Sequence, residues 1–313
     1  MDPSHIHANI NIGLALIEIG EHDKALARLE MCHLATPGHI ETICGLGMGS
    51  LELGRVPQAQ QYYREALAVD VGCADAHFGL ANIALLHGDL AAGWKEYEWR
   101  IRLPRFAQYY QAPESRWGEE RLSGKTLLVN AEQGYGDTLM FARFLPRIIQ
   151  SGATVIFRCR QSLLRLLRHS LGVNRVIDVE AGETITADAS IPLLSLGRVL
   201  GIDLADLPGP IPYLRASPNL AETRRAKLAG DSRFRVGLAW GDPLRTHQRR
   251  RTPLVDDYRA LAAVPGVAFY NLQPGFSADD IGLSSALDRS CFRHRRFCRY
   301  GSARGKPRSG DLG

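Results

Sequence analysis

The sequence predicts an α plus α/β chain, with tandem helical repeats in front and a parallel sheet with crossover helices behind. Three observations lead there. A gapless period of 34 residues runs through the first hundred residues. From Thr126 the pattern changes to short β-rich runs alternating with helical ones: TLLVNAE, DTLMFARFLPRII, ATVIFRC, QSLLRLLRHSL, NRVIDVE and ASIPLLS. Between the first of these runs and its helix lies a glycine-rich turn, GYGD.

The period aligns Gly13 with Gly47 and Ala81, Gly20 with Gly54 and Gly88, Ala25 with Ala59 and Gly93, and Leu29 with Tyr63 and Tyr97. Small residues at such positions let paired helices approach, a glycine ends the first helix, and Leu or Tyr fills the space between them. This pattern resembles the tetratricopeptide repeat, and Pro37 falls at that repeat's closing proline. Three repeats are expected over residues 1–100, with a protein or peptide partner in the groove lined by Leu14, Glu41, Met48, Asp75 and Asn82. The chain begins almost inside its first repeat, so the array is expected to be a shortened version of a longer one. Residues 101–122 read as a linker. Trp94, Tyr97 and Trp99 ahead of it read as aromatic caps on the last repeat in preference to ligand-stacking residues.

Composition narrows the class. At 313 residues, with ordinary apolar and charged fractions, the chain has material for two or three cores. No run approaches the roughly 18 apolar residues of a membrane span. The start MDPSHIHANI lacks the basic and apolar segments of a secretory signal, so the expected compartment is the cytoplasm. Cys32, Cys44, Cys73, Cys159, Cys291 and Cys298 show neither a CxxC pair nor regular spacing, which predicts reduced thiols. From Arg289 onward eight Lys or Arg face Asp311 alone, leaving 30 bases against 32 acids before that point. The positive net charge therefore belongs to the tail, and nucleic acid is not an expected partner of the body.

Two phosphate-loop candidates flank the first β-rich run. SGKT precedes the strand, and the first glycine of a nucleotide triphosphatase loop would have to stand where Glu119 does, so Lys125 reads as a strand entrance. Gly134 and Gly136 follow the strand, where glycines allow a tight turn and a close backbone approach to a ligand. The first N–H groups of the next helix form a small positive site, which Thr138 adjoins. Asp137 has two readings here: an N-cap for that helix, or a general base at the carboxyl end of a strand.

The run RWGEERLSGKTLLVNAEQGYGDTLMFARFLPRIIQSGATVIF, preceded by GDLAAGWKEYEWR, resembles bacterial proteins that join tetratricopeptide repeats to a glycosyltransferase of the two-Rossmann (GT-B) kind. Their catalytic part is similar to the lipopolysaccharide heptosyltransferases, glycosyltransferase family 9. The similarity extends through PYLRA, FRVGLAWGDP, RRRTPL and FYNLQPG. It implies an acceptor domain at 123–215, a donor domain at 216–283, and sugar transfer from a nucleotide sugar to an unknown acceptor without an obligatory metal or other cofactor. It also implies Asp137 as base, Gly134, Gly136 and Thr138 as the acceptor or phosphate loop, and Arg251, Thr252 and Gln273 at the donor.

Residues 234–288 hold about two strands and a helix, short of the order of 120 residues a complete Rossmann domain takes. The donor domain is therefore expected to be incomplete and activity impaired. The family's aspartate-threonine and alanine-histidine segments have no counterpart. The tail 284–313 is expected to be disordered, an out-of-frame reading of a gene that encoded the rest. The competing expectation is an interaction protein whose α/β part is a non-catalytic remnant.

Overall fold

A computed structural model describes residues 5–109, 117, 121–207, 209, 211–230, 232–239 and 264–272. Contacts divide the chain into two units, Met1–Ala221 and Glu222–Gly313.

The first unit opens with three helix pairs: α1 (Ile6–Glu18) and α2 (His22–Ala35), α3 (Ile40–Glu52) and α4 (Val56–Val69), α5 (Ala74–Leu86) and α6 (Leu90–Tyr97). First helices start at 6, 40 and 74 and second helices at 22, 56 and 90, so the 34-residue period survives as geometry. Each first helix stops the same way. Gly20, Gly54 and Gly88 take φ of +85°, +74° and +80°, a region that costs an L side chain roughly 1–2 kcal/mol. The following N–H groups of Glu21, Arg55 and Asp89 then reach back to the carbonyls of Leu16, Ser50 and Ala84 at 2.9–3.0 Å, which closes the helix end as a Schellman motif. Within the pairs, a Cβ on Gly13 or Gly47 would stand 2.7 Å from Leu29 or Tyr63, so these positions are small because the facing side chains fill the space.

The third pair departs from the repeat. Helix α6 has 8 residues where α2 and α4 have 14. The chain continues as 3-10 turns over Glu98–Arg102 and Pro104–Tyr109. Pro104 disfavours helical backbone at Leu103, which is extended at ψ 124°. The aromatic trio divides. Trp99 does cover the last repeat, stacked on His77 at 3.8 Å between centroids. Trp94 instead faces the sheet domain: its Nε1 donates to Ile202 O at 2.9 Å and its ring packs against Phe141. A Cβ on Gly197 would collide with that ring at 2.7 Å.

The sheet contains β1 (Thr126–Asn130), β2 (Thr154–Cys159), β3 (Arg175–Asp178) and β4 (Ala189–Pro192), in the order β3-β2-β1-β4 and all parallel. Helices α7 (Tyr135–Ala142) and α8 (Leu145–Gln150) connect β1 to β2, α9 (Gln161–Arg168) connects β2 to β3, and α10 (Leu196–Val199) follows β4. Alternation sorts the strand side chains. Leu127, Val129, Val155 and Phe157 join Phe141, Leu145, Ile148 and Leu167 in the main core. Leu128, Ile156 and Ile177 form a smaller cluster with Ile185. SGKT is a turn into β1, with Gly124 at φ +75° and its N–H on Gly152 O, as expected for a strand entrance.

Helix α11 (Pro218–Leu228) spans the boundary between the units. In the second unit β5 (Phe234–Leu238) pairs in parallel with β6 (Val267–Asn271). Parallel neighbours need a crossover connection, and most of it, 240–263, lies outside the described residues, as does the tail. Among the described residues no helix is long and apolar enough to cross a membrane.

Candidate active site

In open parallel sheets, ligands gather outside the carboxyl ends of the strands, where neighbouring connections part in opposite directions. Here that point lies between β1 and β4. The segment leaving β1 is Ala131-Glu132-Gln133-Gly134, and each residue is held by a different force. Ala131 prolongs the ladder by donating to Arg158 O at 2.8 Å.

Glu132 is 1% exposed and meets Arg100, which is fully buried. Arg100 donates Nε to Oε2 at 3.1 Å and Nη2 to Oε1 at 2.7 Å, and Leu194 N donates to Oε1 at 3.0 Å. The guanidinium also reaches Ser195 Oγ, Glu98 Oε1 and Tyr97 O. A forked charge pair with its remaining donors satisfied is the arrangement in which burial of two ions is tolerated. It ties the turn after the last repeat to the loop after β1.

Gln133 takes φ +59°. The tight turn expected of the glycines is made by this residue, since Gly134 has an ordinary φ of −92°. Strain at a non-glycine residue persists only where neighbours over-determine it. Gln133 Nε2 donates to Tyr97 Oη at 3.2 Å, and its carbonyl accepts from Arg160 Nη2 at 3.3 Å.

Gly134 is the N-cap of α7, which starts at Tyr135. Asp137 is therefore the third helical residue and not the N-cap. Its Oδ2 accepts the N–H of Gly134 at 3.0 Å, which caps the helix start from inside and places negative charge at its positive end. The residue is partly exposed, and among the described residues Oδ1 has no hydrogen-bond partner. Thr138 is buried, with its hydroxyl on Gly134 O at 2.9 Å, so it secures the turn from below. A Cβ on Gly136 would meet open space, leaving the loop surface bare on that side.

Arg160, one residue past β2, lies with its guanidinium 4.9 Å from the centroid of Tyr135. A hydrogen bond with Ser162, and then Arg160, hold the Tyr135 phenol below its ordinary value. The carboxyl edge thus carries the anchored carboxylate of Asp137 and, against Tyr135 and Gln133, the cation of Arg160. Arg251, Thr252 and Gln273 lie outside the described residues. Arg100, Glu132, Gln133 and Arg160 were not legible as a group. Nothing local marks Glu132, because its partner Arg100 stands 32 residues earlier, in the turn after the last repeat.

The expected groove positions are less open than a bare repeat surface. Glu41 and Met48 are exposed, Leu14 and Asn82 are half-buried, and Asp75 is paired with Arg105 at 2.7 Å.

No family model matches the chain. Protein FlbA of Caulobacter vibrioides is 25% identical over 301 residues, which is 87% of this chain and 50% of that protein. The chain therefore spans about half the length of the curated relative it matches. Among solved structures, MamA matches 33% of this chain and 61% of its own at 20% identity and a TM-score of 0.30. An O-GlcNAc transferase variant of Thermobaculum terrenum matches 88% of this chain and 70% of its own at 13% identity and a TM-score of 0.29.

Proposed function

We propose that the chain is a glycosyltransferase-like protein of heptosyltransferase-related GT-B type, moving a sugar from a nucleotide-sugar donor to an acceptor hydroxyl. The observation that supports it best is Asp137: one carboxylate oxygen fixed by Gly134, the other open at the carboxyl edge of β1. In this reading the acceptor oxygen attacks the anomeric carbon, and its proton passes to Asp137 Oδ1. The bond from that carbon to the donor phosphate breaks, and the nucleoside diphosphate leaves with the electron pair. No metal is needed in the scheme, because cationic side chains take the developing phosphate charge. Arg251 and Thr252 fill that role in the donor loop, with Gln273 nearby.

Asp137→Asn tests the base directly. The amide oxygen still accepts from Gly134 N, so the loop stays in place while the proton acceptor is lost. Release of nucleoside diphosphate from a panel of nucleotide sugars should fall by at least about a hundredfold while donor affinity holds. Unchanged turnover would remove Asp137 from the mechanism. Arg251→Ala should weaken donor binding.

A second reading is a repeat module that binds a protein or peptide partner, and exposed Met48 on α3 favours it. Full-length protein that captures a defined partner, loses it on Met48→Asp, and binds no nucleotide sugar would select this reading over the first.

A further inference from the structure

Where the second and third helix pairs meet, two thiols face each other. Cys44 Sγ and Cys73 Sγ are 3.5 Å apart, although the residues are 29 positions apart in sequence, and both cysteines are free. Cys44 lies along α3 between the exposed Glu41 and Met48 and is half-buried; Cys73 is the N-cap of α5 and is buried. The 34-residue period does not account for the pair. Ile10 and Phe78 stand at the position of Cys44 in the other two pairs, and the caps matching Cys73 are His5 and His39.

The contact is one step short of a bond. A disulfide holds its sulfurs about 2.05 Å apart, so each Sγ has to move by only about 0.7 Å from the present 3.5 Å, a shift that a turn about each Cα–Cβ bond can supply. The backbone on the buried side is held in place: Cys73 N donates to Asp70 O at 3.1 Å, and Cys73 O accepts from His77 N at 3.2 Å. Burial, and then the neighbouring Cys73, hold the Cys44 thiol above its ordinary value. At neutral pH it is therefore a protonated thiol, and the pair stays reduced until an oxidant reaches it.

We propose that Cys44 and Cys73 form a reversible modification site, a thiol pair that small organic disulfides convert into a staple between the second and third helix pairs. The proposal does not depend on the glycosyltransferase reading.

Cys44, the more accessible of the two, gives up its proton to solvent and attacks one sulfur of the reagent. The reagent's S–S bond breaks, and one of its halves leaves with the electron pair and takes up a proton. Cys73 then gives up its proton and attacks Cys44 Sγ in the mixed disulfide, and the second half leaves in the same way. The two protein thiols lose two electrons in all, and the reagent is reduced to two thiols. The new bond ties α3 to the start of α5, across the face that carries Glu41 and Met48.

Oxidised glutathione is the probe, applied to the full chain at about pH 8.5, near the ordinary thiol value, so that attack is not starved of thiolate. Peptide mapping by mass spectrometry should find Cys44 joined to Cys73, and dithiothreitol should restore both thiols. Oxidation should raise Tm by about 5–10 °C, the scale of closing a loop of this length in the unfolded chain, and reduction should reverse the rise. Cys73→Ser retains a good N-cap residue and should stop at a glutathione adduct on Cys44 without the rise in Tm. Cys44→Ser should leave Cys73 unlinked, and Cys32→Ser should leave the bond intact. In urea the linkages should scatter over the cysteines. Cys44 and Cys73 recovered as thiols from the oxidised native chain, Cys44 joined to another cysteine, the same scatter with and without urea, or an unaltered Tm once the bond has formed would each overturn the proposal.

Discussion

Replacing Glu132 by Ala tests how the repeats and the sheet domain are joined. The change deletes two charge-assisted hydrogen bonds from Arg100 and the acceptor of Leu194 N, all in a region without solvent. Removing one partner of a buried ion pair generally costs about 3–5 kcal/mol, because the other charge is left behind. Here Arg100 retains Glu98, 2.9 Å away and 21% exposed, together with Tyr97 O and Ser195 Oγ. That places the cost near the low end, about 3 kcal/mol, which for a folding unit of this size lowers Tm by roughly 6–12 °C. Urea unfolding followed by tryptophan fluorescence reads it, since Trp94 and Trp99 lie just before Arg100 in sequence. The double variant Arg100→Met/Glu132→Met removes both charges and should recover most of the loss. A Glu132→Ala cost within about 0.5 kcal/mol, or a double variant worse than the single, would refute the claim that an uncompensated charge is the cause.

Other outcomes follow from single positions. Gly54→Ala should cost about 1–2 kcal/mol in thermal melts, from backbone strain alone, as a Cβ there meets no atom within 4 Å. Gly54→Asn should recover part of that; a neutral Ala variant would contradict the helix-end geometry. Tyr135 should titrate below the ordinary tyrosine value of 10.0 in a spectrophotometric pH series, and Ser162→Ala should raise it. Because its folded value is depressed, its contribution to stability grows as pH rises through the window below 10 and is lost as pH falls through the folded value. Burial first, then Asp178, push the Cys159 thiol up to about 12. Its alkylation by iodoacetamide at neutral pH should therefore occur only on unfolding, and rapid labelling of the native chain would show that the pocket around it opens.

The repeat period placed the helices well because it reflects local rules renewed every 34 residues: a left-handed glycine, a small residue, a filler side chain. The strands were legible for a similar reason, their apolar runs being short and bounded. Legibility failed where a feature depended on partners distant in sequence. Gln133 has no local reason to adopt positive φ; Tyr97 and Arg160 hold it there from 36 residues before and 27 after. Trp94 read as a cap because a tryptophan at a repeat's end usually faces the repeat, whereas Gly197 opens a slot for it over a hundred residues away. The N-cap reading of Asp137 lay three residues too late, because Gly134 is the cap and the helix begins at a tyrosine that propensity does not mark as a start.

The attachment through Trp94 and Arg100 also gives the repeat array a polarity in evolution and engineering. Among the described residues, helix pairs on the α1 side pack chiefly on their neighbours, so they can be exchanged or multiplied without disturbing the sheet. The third pair is different in kind: it travels with the sheet domain, as a root to which any array must be spliced. Recombination that respects the fold would therefore cut before Ala74, between the second and third helix pairs.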